Sequence, residues 1–370
     1  MILLVTNDFP PAIGGIQSYL RDFVATLDPS EVIVFAATPY DPAAFDASVP
    51  YRVIRWPHSI MLPTPAASRR MQDIIRQYGI TTVWFGAAAP LAVMAPAARA
   101  AGATRIIAST HGHEVGWSMV PGARGALRYI GRHVDVVTYI ASYTLRRLQP
   151  VIGYGPDWVH MPSGVDIDAF HPTADKAADK AYFGLDPQRP AVVCVSRFVP
   201  RKGQDQILRI MPELARRHPG VQLLLVGRGG YRATLEELAR IYFPETVFYE
   251  AADSTELNRA LGAADVFAMP ARTRGGGLDL EGLGIVYLEA QAAGVPVIAG
   301  DSGGAPETVT EDSGIVVSGH SQTELLEALD TVLADAPLRA RMSAAGRAHV
   351  VSEWTWEKMG QRLRNVIAGA

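Results

Sequence analysis

Short apolar runs alternate with amphipathic stretches along the whole chain, and this alternation limits the possible folds more than any other feature. Runs of this length are typical of parallel strands buried on both faces, and the stretches between them have helical spacing. The runs are ILLVT at 2, EVIVFA at 31, YRVIRW at 51, TVWF at 82, RIIAST at 105, DVVTYI at 135, WVHMP at 158, AVVCVS at 191, VQLLLVG at 221, TVFY at 246, DVFAMP at 265, VPVIAG at 295 and GIVV at 314. We therefore predict an α/β protein with two Rossmann-like, doubly wound halves.

The length of 370 residues fits two domains better than one. Residues 171–189 are polar, bracketed by proline and without a strand pattern, so they predict a linker. We predict an N-terminal domain over 1–170 and a C-terminal domain over 171–352, facing each other across a deep cleft. Residues 353–370 predict a helix that packs back on the N-terminal domain through an apolar face formed by Trp356, Met359, Leu363 and Ile367.

The composition is that of a soluble globular protein, with 48% hydrophobic residues, 19% charged residues and a net charge of -3. Without a basic excess, nucleic acid is not an expected partner. The single cysteine, Cys194, lies in an apolar run and predicts a buried strand residue in a reducing cytoplasm. We expect no signal peptide, because Met1 leads directly into a strand pattern.

The uncharged stretch from 77 to 98 is long enough to span a bilayer. Gly79, Gly86, Pro90 and Pro96 interrupt it, however, and divide it into a short strand, a loop and an alanine-rich helix. We therefore expect a buried strand-loop-helix unit here, and no transmembrane helix.

Two glutamates, Glu281 and Glu289, flank the start of an apolar helix within the segment RTRGGGLDLEGLGIVYLE. Glycines at 275, 276, 277, 282 and 284 leave backbone NH groups open to an anion, and the helix adds its positive N-terminal end. Two carboxylates at this spacing can hold different parts of one ligand. The segment therefore predicts a site for a phosphorylated polyol.

Two other loops that follow predicted strands offer groups for the same ligand. Gly14 and Gly15 expose backbone NH groups at a helix start, where a diphosphate can be bound, although a glycine pair is also typical of an ordinary turn. Arg197 and Lys202, in SRFVPRKGQD, combine a planar fork with a mobile charge and suit two phosphates. The alternative for these cations is a solvated loop, with Arg201 as a companion charge.

The sequence THGHE leaves several interpretations open for His111 and His113. A metal site lacks a third ligand at a recognisable spacing, so a structural histidine or a His111 that contacts a sugar remains. Asp166-Ile167-Asp168 matches the DxD pattern of many metal-dependent sugar transferases. Its position ahead of the predicted linker favours turn capping instead, so we predict no metal ligand there.

Arg124, Arg128 and Arg132 recur at every fourth residue, so a helix aligns them in one stripe. Charge runs are usually solvated faces. The first 170 residues contain no lysine, however, and arginine is the better ligand for phosphate and for anionic lipid headgroups. The stripe, near Arg146 and Arg147, is therefore a candidate acceptor or membrane surface.

These landmarks, in this order, resemble glycosyltransferase family 4, whose members share the two-domain GT-B fold, and the resemblance covers the whole chain. The phrases that carry a closer resemblance to the actinobacterial, PimB-type phosphatidylinositol monomannoside mannosyltransferases are TNDFPPAIGGIQSYLRDF, WFGAAAPLA, ASTHGHEVGWS, SRFVPRKGQD and MPARTRGGGLDLEGLGIVYLEAQAAGVPVIAGDSGGAPETV. One departure is Glu250-Ala251, which replaces the glycine-arginine often found in the base-binding loop.

The resemblance implies a GDP-mannose donor, a phosphatidylinositol monomannoside acceptor and an α-1,6 linkage. The implied catalytic residues are His111 at the sugar, Arg197 and Lys202 at the diphosphate, and Glu281 at the transferred sugar or its phosphate. Glu289 would bind the ribose hydroxyls and the backbone near Ala252 the base. The full donor set it implies is Gly14, Gly15, Arg197, Lys202, Ala252, Glu281, Gly282, Leu283, Gly284, Ile285 and Glu289.

For a retaining transfer the resemblance implies same-face attack, in which the departing diphosphate takes the acceptor proton and neither metal nor cofactor is needed. It also implies a cytoplasmic protein, peripheral on the inner face of the plasma membrane. The alternative transferase uses the same donor with a soluble sugar or cyclitol acceptor. Other enzyme classes to consider are a GT-B epimerase and a phosphorylase, which needs a pyridoxal-binding lysine in a chain with few lysines. A nicotinamide dehydrogenase is disfavoured because G-x-G-x-x-G does not follow the first strand. The remaining alternative is an inactive protein that binds lipid headgroups.

Overall fold

The computed structural model describes residues 1–369, which divide into two compact α/β units. The first unit comprises Met1–Ser163 together with 356–369, and the second comprises Gly164–Thr355. The chain therefore enters the second unit once, and its last helix belongs to the first.

Each apolar run that predicted a strand forms one. The strands are β1 Ile2–Thr6, β2 Val32–Ala37, β3 Arg52–Trp56, β4 Thr82–Phe85, β5 Arg105–Thr110, β6 Val136–Tyr139, β7 Asp157–His160, β8 Ala191–Val195, β9 Gln222–Val226, β10 Val247–Tyr249, β11 Val266–Met269, β12 Val297–Gly300 and β13 Gly314–Val317.

The helices are α1 Gly15–Ala25, α2 Ala43–Ser48, α3 Pro65–Tyr78, α4 Ala95–Ala100, α5 Glu114–Met119, α6 Pro121–Gly131, α7 Ser142–Ile152, α8 Lys176–Tyr182, α9 Gln204–Arg217, α10 Arg232–Tyr242, α11 Ser254–Gly262, α12 Ile285–Ala292, α13 Gln322–Ala334, α14 Ala336–Glu353 and α15 Trp356–Ala368.

Both units contain one parallel sheet whose strand order reverses near its middle. The first sheet has the order β3-β2-β1-β4-β5-β6-β7, and the second has the order β10-β9-β8-β11-β12-β13. The order reverses between β1 and β4 and between β8 and β11. In open sheets of this kind, ligands bind beyond the carboxyl ends of the strands at the reversal.

The central strands are apolar because both faces of each sheet are covered there. In β1, Leu3 and Val5 join one buried cluster of the first unit, whereas Ile2 and Leu4 join the other. Leu4 pairs in register with Val34 of β2 on one side and with Trp84 of β4 on the other. The predicted two Rossmann-like halves are thus confirmed.

Residues 171–189 differ from the linker that their composition predicted. They contain α8, and the Lys180 ammonium is buried 2.8 Å from the Asp265 carboxylate and 2.6 Å from the Arg189 carbonyl. These contacts make the segment part of the second unit. The chain passes between the units at Ser163–Gly164 and again at Thr355–Trp356, and next to these points the Val165 NH donates to the Trp354 carbonyl at 2.7 Å.

The uncharged stretch forms β4, a short 3-10 turn and α4, as the interrupting glycines and prolines predicted. Within residues 1–369, every helix is too short or too polar to cross a bilayer.

The last helix, α15, packs on α1 of the first unit through the predicted apolar face. Met359 and Leu363 are fully buried, and the Trp356 ring lies 5.2 Å from the Phe23 ring at 88°. The Arg364 guanidinium donates to the Thr26 carbonyl at 3.1 Å. The C-terminal helix is therefore part of the core of the first unit.

Truncating α15 at its buried face should destabilise the protein. Leu363→Ala removes a fully buried side chain, and we expect a loss of about 2 to 5 kcal/mol in the free energy of unfolding. Chemical denaturation measures it, with the exposed Gln361→Ala on the same helix as control. Equal denaturation midpoints for the two variants would contradict the burial of Leu363 against the first unit.

Candidate functional site

The loop after β8 carries Lys202 at the end of a 3-10 turn, Pro200–Lys202. Gly203 follows at φ 80°, and a Cβ there would lie 2.2 Å from the Pro270 carbonyl oxygen in the loop after β11. Only glycine fits both the left-handed backbone and this close approach. The loops of the two strands at the reversal of the second sheet are therefore held against each other.

These loops bring Lys202 and Glu281 together. The Lys202 ammonium lies 2.6 Å from the Glu281 carboxylate, and both side chains are buried. The Glu281 NH donates to the Ser302 hydroxyl at 3.0 Å, which fixes the backbone that carries the carboxylate. Arg197 lies in the same loop as Lys202 but is exposed, and within residues 1–369 its guanidinium has no ionic partner. One cation is thus paired and the other is available to a ligand.

A buried ion pair that the sequence did not indicate supports this arrangement. The Arg272 guanidinium lies 2.9 Å from both carboxylate oxygens of Asp205, and both residues are buried. The Arg272 NH also donates to the Arg201 carbonyl at 2.8 Å. Because Asp205 is in the first turn of α9 and Arg272 follows β11, the pair joins the two loops. No spacing rule relates residues so far apart in the chain, so no sequence signal could have identified it.

Glu289 lies one turn inside α12, deeper than Glu281, which precedes the helix. Burial raises the pKa of Glu289 to about 7, and the positive charge of Lys202 opposes this rise. Within residues 1–369 no side chain pairs with its carboxylate. Tyr287 holds the helix in place, since its hydroxyl donates to the Met269 carbonyl at 2.6 Å. Glu289 is therefore a partly desolvated carboxylate whose hydrogen-bonding capacity is open.

The glycines of the segment divide into two groups. Gly282 and Gly284 precede α12. Position 284 requires glycine for two reasons: its φ is 84°, and a Cβ there would meet the Tyr287 ring at 2.5 Å. Leu283 is buried between them and Ile285 opens the helix. Gly275–Gly277 instead form an exposed turn closed by backbone hydrogen bonds between Arg274 and Asp279. Only the first group lies at the helix start that was predicted to bind an anion.

A cavity of about 620 Å³ opens at the carboxyl ends of β8, β9 and β10. Its wall includes Arg197, for which the resemblance implies contact with the diphosphate. It also includes Ala251 and Ala252, in the loop for which the resemblance implies contact with the base. Arg228 and Glu250 also line it. The Ala252 NH donates to the Glu256 carboxylate at 2.7 Å, so it is not available to a ligand. The preceding residues, Glu250 and Ala251, also line the cavity.

In the first unit, Gly14 precedes α1 and Gly15 begins it. Gly14 is extended at φ 176°, and a Cβ on Gly15 would meet no atom within 4 Å. The local fold therefore does not require glycine at Gly15. Open space in front of the helix start fits the predicted approach of an anionic ligand.

His111 follows β5, and its ring is fixed on two sides. Its Nε2 lies 2.7 Å from the Gly86 carbonyl oxygen, and its ring stands edge-on to Tyr19 at 4.9 Å. Burial lowers the pKa of His111, although the charge of Glu114 opposes this effect. The ring is therefore neutral at pH 7, and because a carbonyl only accepts, Nε2 carries the proton and Nδ1 is left as an acceptor.

Glu114 takes a structural role next to His111. Its buried carboxylate accepts hydrogen bonds from the His111 NH at 3.0 Å and the Gly112 NH at 3.2 Å. It also lies 3.3 Å from the exposed His113 ring. One oxygen of the carboxylate therefore holds the loop that carries His111. Residues 1–369 contain no group of three or more His, Cys, Asp or Glu side chains placed to hold a metal ion.

The remaining predicted features have local explanations in the fold. The Asp166 carboxylate accepts from the NH groups of Asp168 and Ala169 at 3.0 Å each, so it caps a turn as predicted. Arg124, Arg128 and Arg132 lie on or directly after α6 and are all exposed. They do form the stripe that their spacing predicted.

The raised pKa of Glu289 predicts a pH-dependent stability. Its folded pKa of about 7 lies above that of an unfolded glutamate, so stability is lost as the pH rises from the unfolded value through 7. Glu289→Gln removes this cost, and we expect it to stabilise the protein about 2 kcal/mol more at pH 8 than at pH 5. Denaturant unfolding at both pH values measures the difference. An equal effect at both would show that Glu289 is not desolvated.

Two family models together match most of the chain. The family described as "Glycosyltransferase Family 4" matches residues 13–169, and "Glycosyl transferases group 1" matches residues 175–349. The sucrose-phosphate synthase of Thermosynechococcus elongatus has a TM-score of 0.80 at 24% identity, with 100% of this chain and 99% of that chain covered, and shares the fold.

Two relatives match over almost their whole length. The "GDP-mannose-dependent monoacylated alpha-(1-6)-phosphatidylinositol monomannoside mannosyltransferase" of Corynebacterium glutamicum is 56% identical, covering 99% of this chain and 97% of its own. The "GDP-mannose-dependent alpha-(1-6)-phosphatidylinositol monomannoside mannosyltransferase" of Mycolicibacterium smegmatis is 50% identical, covering 100% of this chain and 98% of its own. The chain therefore belongs to glycosyltransferase family 4 and, within it, groups with these phosphatidylinositol monomannoside mannosyltransferases.

Proposed function

We propose that this protein is a retaining mannosyltransferase that moves mannose from GDP-mannose to phosphatidylinositol monomannoside and forms an α-1,6 linkage. The observation that carries the proposal is the cluster of Arg197, Lys202, Glu281 and Glu289 at the reversal of the second sheet. Relatives at 56% and 50% identity over the full chain carry names with this donor and acceptor.

The second unit would bind the donor. Arg197 lies on the wall of the cavity and offers an unpaired guanidinium to the diphosphate. The backbone around Ala252 would contact the base, and the open carboxylate of Glu289 would accept hydrogen bonds from the ribose hydroxyls. Gly14, Gly15 and His111 belong to the first unit, and their contacts with the donor stay predictions.

The chemical step would break the bond between the mannose C1 and the diphosphate oxygen. The acceptor hydroxyl oxygen attacks C1 on the same face, and its proton passes to the departing diphosphate. Arg197, Lys202 and the NH groups of Gly284 and Ile285 at the start of α12 would stabilise the growing negative charge. Positive groups fixed at that position supply the charge neutralisation that this route requires, so we propose a reaction independent of metal ions.

Glu281 would orient Lys202 and hold the transferred sugar or its phosphate. The 2.6 Å contact fixes the ammonium before the donor arrives, so little reorganisation is needed when charge develops. One oxygen of Glu114 accepts from the NH groups of His111 and Gly112. Because these hydrogen bonds hold Glu114 in its own loop, we propose no covalent glycosyl intermediate on it.

The α5–α6 surface would contact the membrane. Met119 and Val120, at the corner between the two helices, are each 56% exposed, and Arg124, Arg128 and Arg132 follow them. Exposed apolar side chains next to a row of guanidinium groups suit an anionic lipid surface. We therefore propose a cytoplasmic protein that lies peripherally on the inner face of the plasma membrane.

Removing the Lys202 ammonium should abolish transfer. We expect Lys202→Ala to lower the rate of mannose transfer from radiolabelled GDP-mannose to the lipid by about 100-fold or more, because charge in the leaving diphosphate is no longer stabilised. Lys176→Ala, which removes an exposed lysine of the same unit, is the matched control. Since Lys202→Ala leaves Glu281 buried and unpaired, Arg197→Gln is a second variant without a structural cost. Wild-type rates in both would refute the donor site.

Neutralising the arginine stripe should weaken action on membranes only. We expect the triple change of Arg124, Arg128 and Arg132 to Gln to lower binding to vesicles that contain phosphatidylinositol by about 100-fold, at roughly 1 kcal/mol for each charge. Vesicle sedimentation measures binding, and calorimetry should give an unchanged affinity for GDP. The same change at the exposed Arg209, Arg216 and Arg240 of the second unit controls for net charge. Equal losses in both triples would contradict a specific surface.

A further inference from the structure

An ion pair stands in the cavity wall beyond the predicted phosphate-binding residues. The Arg228 guanidinium lies 3.2 Å from the Glu250 carboxylate, and both residues line the cavity that Arg197 also lines. The two side chains are 71% and 50% exposed, so the carboxylate is open to a ligand in the cavity. Neither residue has a role in the phosphate chemistry described above.

The backbone on both sides of this pair is fixed. Arg228 lies between Gly227 and Gly229, whose Cβ atoms would come within 2.0 Å of the Ser196 carbonyl and 2.4 Å of the Phe198 carbonyl. The Phe198 NH donates to the Arg228 carbonyl at 2.8 Å. The loop after β9 is therefore seated directly on the loop that carries Arg197.

The loop that carries Glu250 is fixed by Glu256. One carboxylate oxygen of Glu256 accepts from the hydroxyls of Tyr182 at 2.6 Å and Tyr249 at 2.9 Å. The other accepts from the Ala252 NH at 2.7 Å. The backbone from Tyr249 to Ala252 is thus anchored on either side of Glu250, and the carboxylate is presented to the cavity from a defined position.

We propose that Glu250 selects guanine as the base of the donor nucleotide, a proposal that rests on the proposed function. The edge of guanine carries two adjacent donors, N1–H and the N2 amino group, and one carboxylate accepts from both. Arg228 contacts the carboxylate at 3.2 Å and orients it. Uracil offers one N–H between two carbonyl oxygens, so a carboxylate placed there faces repulsion instead of a second hydrogen bond. Glu250 is therefore the residue that distinguishes a guanine nucleotide from a uracil nucleotide in this chain.

Calorimetric titration of the full-length protein with GDP, IDP and UDP tests this role. IDP lacks only the N2 amino group, so the wild-type protein should bind GDP about tenfold or more tightly than IDP, since one hydrogen bond to a charged group is lost. In Glu250→Gln, GDP affinity should fall by at least about tenfold and the preference for GDP over IDP should largely disappear. UDP binding should stay the same or improve.

Glu245→Gln is the matched control, because Glu245 is an exposed glutamate of the same unit that pairs with Arg189 at 3.2 Å and does not line the cavity. It should keep the wild-type order of the three nucleotides. If Glu250→Gln keeps a full preference for GDP over IDP, the role of Glu250 is refuted while the donor assignment stands. If the wild-type protein itself shows no preference for GDP over UDP, the proposed donor fails as well.

Discussion

The ion pair between Lys202 and Glu281 is the interaction on which the proposed chemistry depends. Burying two charges costs desolvation energy, and the attraction between them offsets this cost only when the geometry is fixed. Here the geometry is fixed by neighbours: Gly203 allows the close approach of the two loops, and the buried Arg272–Asp205 pair joins them. The site is therefore built into the packing of the second unit, and its cation is positioned without a ligand.

The four charged groups of the proposed donor site differ in how the fold treats them. Lys202 and Glu281 are buried and paired, whereas Arg197 is exposed and the Glu289 carboxylate has no partner within residues 1–369. A paired cation remains in place throughout a reaction, and an exposed one can follow the diphosphate as it leaves. A partly desolvated carboxylate such as Glu289, whose pKa burial raises to about 7, gains more from ligand hydroxyls than a fully solvated one.

The first unit shows how side chains of a type that can bind metals also stabilise the local fold. His111, His113 and Glu114 have the composition of a metal site, yet Glu114 accepts two backbone hydrogen bonds and the His111 ring is bonded to the Gly86 carbonyl. One oxygen of Glu114 and one ring nitrogen of His111 therefore hold the loop in place. The same applies to Asp166, whose carboxylate caps a turn within a DxD pattern.

The sequence by itself determined the strands, the two halves, the apolar face of α15 and the identity of the charged residues near the sheet reversals, because hydrophobic periodicity and glycine placement are local properties. Only the tertiary structure decided which charges meet. The Arg272–Asp205 pair, the anchoring of the Glu250 loop by Glu256 and the incorporation of residues 171–189 into the second unit all join segments distant in the chain. Such contacts depend on how loops at the ends of different strands approach one another, and no pattern along a single segment encodes that approach.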